Sequence, residues 1–375
     1  MAGIYIHIPF CKQACHYCNF HFSTHASMQN DFTAALLKEI TEQARYLEGE
    51  QVETIYFGGG TPSLLSDPVL RKILTALYQT FPIGPDPEIT LESNPDDMSS
   101  ERLKNWKEMG VNRLSIGIQS FYSEDLAWMN RAHSAEQAIQ ALEDTRMTGF
   151  KQFSLDLIYG SPALTDEHWV QNLNRALSFQ PPHISCYALT VEPRTALHKM
   201  IQMKKSADIQ PEQQAAQFLM GMEILQGSGY EHYEISSFAK PGQRSRHNSA
   251  YWQSKKYLGL GPSAHSFNTV SRQWNIANNA LYIKALNGGQ PYFESEVLQP
   301  RDRLNEYIMT SLRTSEGLSL HWVGNSFGLE KAEKLEAAAD RYIQLRQMKN
   351  LGGNLVLTGQ GKLYADGIAA ALFFD

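Results

Sequence analysis

The stretch YIHIPFCKQACHYCNFHF, residues 5–22, decides how the rest of the chain is read. A β-branched run up to Ile8 ends at Pro9, and Cys11, Cys15 and Cys18 then follow within eight residues of a 375-residue chain that has one other cysteine, Cys186. Three thiols on a short loop after a strand form a soft donor set, the type preferred by zinc and by iron–sulfur clusters. A single zinc ion calls for a fourth ligand, which His7, His16 or His21 could supply. A c-type haem attachment site is excluded, because Cys15-His16-Tyr17-Cys18 is followed by Asn19 rather than histidine.

Outward from this loop, GIYIHI (3–8), ETIYFGGGTP (53–62), EITLES (88–93), NRLSIGIQ (112–119), FSLDLIYG (153–160) and HISCYAL (183–189) read as strands. Apolar residues at helical spacing predict helices over 32–47 and 69–81, and further helices are expected near 100–109, 135–147 and 167–178. Strands alternating with helices predict an α/β fold with a parallel sheet, a partial (β/α)6 barrel open where the eight-fold barrel closes. Chemistry in such folds collects at the C-terminal strand ends, where the cysteines and GGGTP (58–62) both fall. Beyond about residue 240 the chain turns rich in Gly, Ser and aromatics and then helical. A core domain over 1–240 and a smaller, mainly helical domain over 241–375 are therefore expected.

With 42% apolar and 19% charged residues the composition is that of a soluble globule, and the net charge of −6 argues against a general nucleic-acid surface. Residues 1–10 lack the features of a signal peptide, and no run approaches the roughly 18 apolar residues of a membrane span. So few cysteines make no disulfide framework, so a reducing, cytoplasmic setting is expected.

Cys-x3-Cys-x2-Cys followed by GGGTP, in this βα order, resembles the radical S-adenosylmethionine superfamily. That resemblance implies a [4Fe-4S] cluster on Cys11, Cys15 and Cys18, with the fourth iron left for S-adenosylmethionine and for reductive cleavage of its sulfonium. It also implies S-adenosylmethionine contacts from Tyr5, Gly59, Gly60, Thr61 and Glu92 on the early strand ends, and from Tyr17, Gln119, Arg131, Asp156, Ala188 and His265. The residue types suit such contacts, since carboxylates accept hydrogen bonds from ribose or ammonium groups and a guanidinium binds a carboxylate as a fork.

YIHIPFC, YFGGGTP, GIQSF, DLIYG and LGLGPSAHS resemble, more narrowly, the branch that holds the oxygen-independent coproporphyrinogen III oxidases and the haem chaperones. The oxidases carry a further cysteine where Phe20 stands, and a longer segment ahead of the first cysteine. HNSAYW (His247, Asn248, Tyr251 and Trp252 within it) fits the HNxxYW pattern of the haem-chaperone side. An imidazole can ligate haem iron, Trp252 can pack on a macrocycle, and Arg244, Arg246, Lys255 and Lys256 could meet propionates. The expectation is a haem carrier without oxidase activity, served by an electron donor and passing haem to an acceptor protein; oxidation of coproporphyrinogen III is the competing reading. Peripheral membrane contact is compatible with a haem carrier, although no amphipathic basic helix demands it.

Overall fold

The computed structural model describes residues 2–375. Six parallel strands follow one another in chain order: β1 (Ala2–Ile8), β2 (Val52–Gly59), β3 (Ile83–Ser93), β4 (Arg113–Gln119), β5 (Gln152–Tyr159) and β6 (His183–Ala188). Each pairs with the next, and β1 does not meet β6, so the (β/α)6 arrangement is open.

Parallel sheets covered on both faces usually read as continuous apolar runs. Here the strands alternate instead. Ile4, Ile6 and Ile8, then Ile55 and Phe57, Ile89 and Leu91, Leu114 and Ile116, and Leu155 and Leu157 are all buried in one apolar core. Helices Gln29–Glu42, Asp67–Thr80, Ser100–Glu108, Ala135–Met147 and Asp166–Ser178 contribute Leu36, Leu70, Leu103, Leu142 and Leu173 to that core. Each fully buried Leu or Ile contributes about 1.5–3 kcal/mol. The intervening residues, Tyr5, Tyr56, Thr90, Glu92, Ser115 and Asp156, belong by the two-residue period to the opposite face. A polar inner face on a parallel sheet marks a site rather than a second core.

The helix expected over 32–47 ends at Glu42, and residues 43–49 form turns in which Glu48 and Gly49 take φ of 53° and 76°. The helix at 135–147 begins at a capping box between Ser134 and Gln137.

The sheet continues beyond the six strands. At one edge β7 (Glu231–Glu234) and β8 (Ser237–Ala239) form an antiparallel hairpin whose second strand, β8, pairs antiparallel with β6. At the other, β9 (Tyr257–Leu260) lies parallel to β1, followed by β10 (His265–Phe267), β11 (Ser271–Asn275) and β12 (Phe293–Val297). Much of 241–297, expected in the smaller domain, thus completes the large sheet. Glu39, buried in the first helix, fastens this return: it accepts hydrogen bonds from Gly261 N (2.7 Å), Asn275 Nδ2 (2.6 Å) and Tyr282 Oη (2.5 Å). Burial pushes its carboxyl up to about 7.

A second apolar cluster, including Leu304, Ile308, Leu312, Leu335 and Leu355, belongs to a mainly helical unit with a three-stranded antiparallel sheet. Among the described residues no helix is long and apolar enough to cross a membrane.

Candidate functional site

The cysteine loop is tied down at its base before any ligand is considered. Cys11 N donates to Ser23 O (3.0 Å) and Ser23 N to Pro9 O (2.9 Å), which closes the loop as it leaves β1. The glycine turn after β2 holds the same point: Gly60 N donates to Ile8 O (2.8 Å) and Thr61 N to Phe10 O (2.7 Å). Glycine is required for that approach. A Cβ on Gly59, at φ 104°, would lie 2.6 Å from the His7 ring, and one on Gly60 would lie 2.6 Å from Phe10 O. Thr61 Oγ1 donates to Cys11 Sγ (3.5 Å) and Arg131 Nη1 to Cys15 Sγ (3.4 Å). On its far side the loop docks through Asn130 Nδ2 to Ala14 O (2.7 Å) and His16 N to Met129 O (3.1 Å).

All three cysteines line one cavity of about 400 Å³. Strand ends form its floor: Gly59 at the end of β2 with Gly60 after it, Glu92 of β3, Gln119 of β4, Asp156 of β5 and Ala188 of β6. Glu92 accepts from Tyr56 Oη (2.8 Å) and Gly59 N (3.2 Å), yet burial, with Asp156 nearby, pushes its carboxyl up to about 7. Asp156 accepts from Ser115 Oγ (3.0 Å) through Oδ2, its Oδ1 is buried without a hydrogen-bond partner among the described residues, and burial raises it to about 6. Arg131 is held by Asn94 Oδ1 (2.7 Å) and Gly117 O (3.1 Å), while its Nε is also buried with no partner among the described residues. Opposite charges with unused valences thus face a cavity fringed by thiols. Burial holds Cys11 and Cys18 as thiols, Cys18 at about 11, so their ionised forms need a cation beside them.

The expected S-adenosylmethionine residues Tyr17 and Thr61 line this cavity as well. Two others do not. Tyr5 lies deeper, stacked on Tyr56 with its hydroxyl 3.2 Å from His7 Nδ1. His265 begins β10 on the remote flank, its ring 6.5 Å from that of Trp274. Ser115, Asn94 and Gly117 also line the cavity, and the polar alternation of β4 was the signal for the first. Phe20, 67% exposed, lines it too.

Among the described residues no three His, Cys, Asp or Glu gather where they could hold a single metal ion. The histidines considered for zinc are engaged elsewhere: His7 Nε2 is 2.8 Å from His21 O, His16 Nδ1 is 2.8 Å from Trp128 O, and His21 Nε2 is 2.7 Å from Asn279 Oδ1. A cluster with one ligand-free corner fits the three thiols better than a lone ion does.

A second cavity of about 500 Å³ adjoins the first. Tyr187 of β6, 43% exposed, lines both. Asn248, Tyr251 and Trp252 line the second, on a short helix (Arg246–Trp252) capped by Ser245. His247 does not. Its ring is buried, with Nδ1 2.7 Å from Thr54 Oγ1 and Nε2 2.9 Å from Tyr251 Oη, and burial lowers it to about 3. Both ring nitrogens are occupied, so His247 supports the Tyr251 hydroxyl and is not poised as an axial ligand. Three of the four cations expected at propionates are also committed elsewhere. Arg244 pairs with Glu231 and Glu316, Arg246 with Glu53 and Asp86, and Lys256 with Glu48 and Glu50. Neither they nor Lys255 line this cavity, whose arginines are Arg272 and Arg313.

An open parallel sheet with three thiols after its first strand and a glycine turn after its second defines a radical S-adenosylmethionine protein, and the Radical SAM superfamily model matches residues 5–176. The HemN C-terminal domain model matches residues 298–364. A Bacillus subtilis protein named "Heme chaperone HemW" is 32% identical over 374 residues, 99% of each chain. One of that name from Synechocystis is 37% identical over 88% of this chain and 82% of its own. The chain belongs to the heme chaperone HemW family. The solved structure of coproporphyrinogen III oxidase (HemN) from Escherichia coli superposes with a TM-score of 0.85 over 99% of this chain and 90% of that one; at 23% identity this bears on the fold alone.

Proposed function

We propose that the chain carries haem in the second cavity and passes it to an acceptor protein, with a [4Fe-4S] cluster and S-adenosylmethionine in the first. The observation that carries this reading is the shared wall. Tyr187 faces the thiol-fringed cavity on one side and, on the other, the aromatic cavity that presents Asn248, Tyr251 and Trp252. The relatives' name speaks of haem and of chaperoning.

Cys11, Cys15 and Cys18 would hold the cluster. Such a cluster, when bound, supplies the electron for reductive cleavage of the S-adenosylmethionine sulfonium. Glu92 and Asp156, kept partly protonated by burial, would ionise against a cationic ligand, and Arg131 would meet a carboxylate. Thr61 and Arg131 fix the thiols of Cys11 and Cys15 through the hydrogen bonds described above. Tyr17, Gly59, Gly60, Gln119 and Ala188 would shape the floor. In the second cavity Trp252 and Tyr251 would flank the macrocycle, with His247 holding the Tyr251 hydroxyl in place. An electron donor, and membrane contact during transfer, belong to this reading as proposals. The division between core and C-terminal unit is best placed near residue 298, where the second apolar cluster and the HemN C-terminal domain match begin.

Anaerobic reconstitution should give brown protein with about four irons per chain, and haem titration should give a saturable Soret shift. Protein that binds no haem but turns over coproporphyrinogen III with S-adenosylmethionine and a reductant would replace this reading with the oxidase one.

A further inference from the structure

The second cavity contains a feature that haem binding by the HNxxYW segment does not account for. Arg272 of β11 and Arg313, just past the helix Pro300–Ser311, both line it, from opposite sides of the junction between sheet and C-terminal unit. Each guanidinium is laid against an aromatic ring: Arg272 at 5.7 Å from the Phe267 centroid, Arg313 at 5.4 Å from that of Trp252. Each is half satisfied. Arg272 Nη2 donates to Glu306 Oε1 (2.9 Å) and Arg313 Nη1 to Asp366 Oδ1 (2.7 Å), yet the Nε of both is buried with no hydrogen-bond partner among the described residues. Unpaired buried donors are rare in folded proteins and mark a missing acceptor. Trp252 Nε1 is in the same state.

Two planar cations, each stacked on a ring and each with donors in reserve, suit a flat aromatic ligand bearing two carboxylates. Glu306 lines the same cavity and already occupies one of the cations. Asp366 differs, since its side chain is 83% exposed and outside the cavity. A ligand carboxylate reaching Arg272 must therefore compete with the hydrogen-bonded Glu306, whereas one reaching Arg313 displaces the solvated Asp366 and shares the cation with Glu234. Glu234 is a buried carboxylate that lines the cavity within electrostatic reach of Arg313 but makes no hydrogen bond to it among the described residues.

We propose that Arg272 and Arg313 are the carboxylate-recognising pair of this cavity, selecting a dicarboxylate tetrapyrrole, and that Glu306 is a built-in competitor that keeps the ligand exchangeable. The proposal rests on the haem-carrier reading and adds to it the residues that read the ligand's charge and set its release. A carrier needs such a device, because a ligand held by two uncontested guanidiniums would be slow to leave.

The test titrates the full chain with haem and with haem dimethyl ester, in the same dilute nonionic detergent, following the Soret band. The wild type should bind haem about tenfold or more tightly than the ester, the size expected for charge-assisted hydrogen bonds. Arg272→Gln and Arg313→Gln should each weaken haem about tenfold while leaving the ester nearly unchanged. Retained ester binding also shows that the variant cavity is intact. Glu306→Gln should tighten haem severalfold and leave the ester alone. Equal binding of haem and ester by the wild type, or equal weakening of both by the arginine variants, would overturn the proposal while leaving haem binding in place. Binding of neither ligand would overturn the haem-carrier reading and this proposal together.

Discussion

The two cavities are built by opposite means. The first is a product of the sheet: its floor consists of the ends of consecutive parallel strands, and its loop is held by backbone hydrogen bonds to the glycine turn beside it. The second is a product of a junction, assembled from Tyr187, β7 and β8, the HNSAYW helix, β9 to β11 and the helix at 300–311. Both linings carry charge, but they hold it differently. Glu92, Asp156 and Arg131 face the first cavity from strand ends and the loop beside them, whereas in the second Glu234, Glu306, Arg272 and Arg313 stand among five aromatic residues, with the arginines shared between cavity and ion pairs. A site made by strand ends keeps its shape, whereas one at a junction can open when the two units shift. That contrast suits a fixed cofactor on one side and a transferred cargo on the other.

The contrast is open to challenge at several places. The largest effect is expected from Gly59→Ala. The new Cβ would meet the His7 ring at 2.6 Å in a residue at φ 104°, a loss of about 2–4 kcal/mol, read as a lower melting temperature together with lost cluster iron. Wild-type iron content and melting would show that the turn does not hold the loop. Trp252→Ala should weaken haem by about tenfold to a hundredfold while iron content and S-adenosylmethionine binding stay as they were. If S-adenosylmethionine binding falls with it, the cavities are not separate.

Acidity probes the first cavity alone. Burial raises Glu92 to about 7 and Asp156 to about 6, so each holds its proton to higher pH than a solvated carboxyl does. A cationic ligand favours their ionised forms. Affinity for S-adenosylmethionine should therefore be full above about pH 8 and fall by about thirtyfold or more by about pH 5.5, with Glu92→Gln flattening the profile. A pH-independent affinity would remove both carboxylates from that role. The smallest effect concerns the shared wall. S-adenosylmethionine should shift haem affinity by about threefold, with haem shifting S-adenosylmethionine affinity reciprocally, and Tyr187→Ala should abolish the shift in both directions.

How far each region was legible follows from how it is built. Local spacing placed the six strands and the cysteine loop, because Cys11, Cys15, Cys18 and GGGTP each lie within a few residues of a strand end. The inner-face polar residues were readable too: I-Y-I-H-I in β1 and L-S-I-G-I-Q in β4 alternate at the strand period, which points to Ser115 as clearly as to Glu92. The family resemblance named Tyr5 and His265, which the structure puts away from the cavity. Tyr5 lies deeper against Tyr56, and β10 carries His265 to the far flank of the sheet. The second cavity was mostly hidden. HNSAYW signalled its helix, but nothing local connects Arg272 with Glu306 or Arg313 with Trp252. Of the cations near that motif in sequence, Arg244, Arg246 and Lys256 are taken by other carboxylates, and Lys255 does not line the cavity. The large sheet also ran past residue 240 because β9 returns to pair with β1, a contact across more than half the chain.

The most direct test of two separate, adjoining sites is haem titration of the Cys11→Ser/Cys15→Ser/Cys18→Ser triple variant beside anaerobically reconstituted wild type. The expected result is complete loss of iron and of S-adenosylmethionine binding with the haem Soret shift retained at near wild-type affinity. Loss of haem binding along with the cluster, in a variant that still melts cooperatively, would place both ligands in one site and contradict the division drawn here.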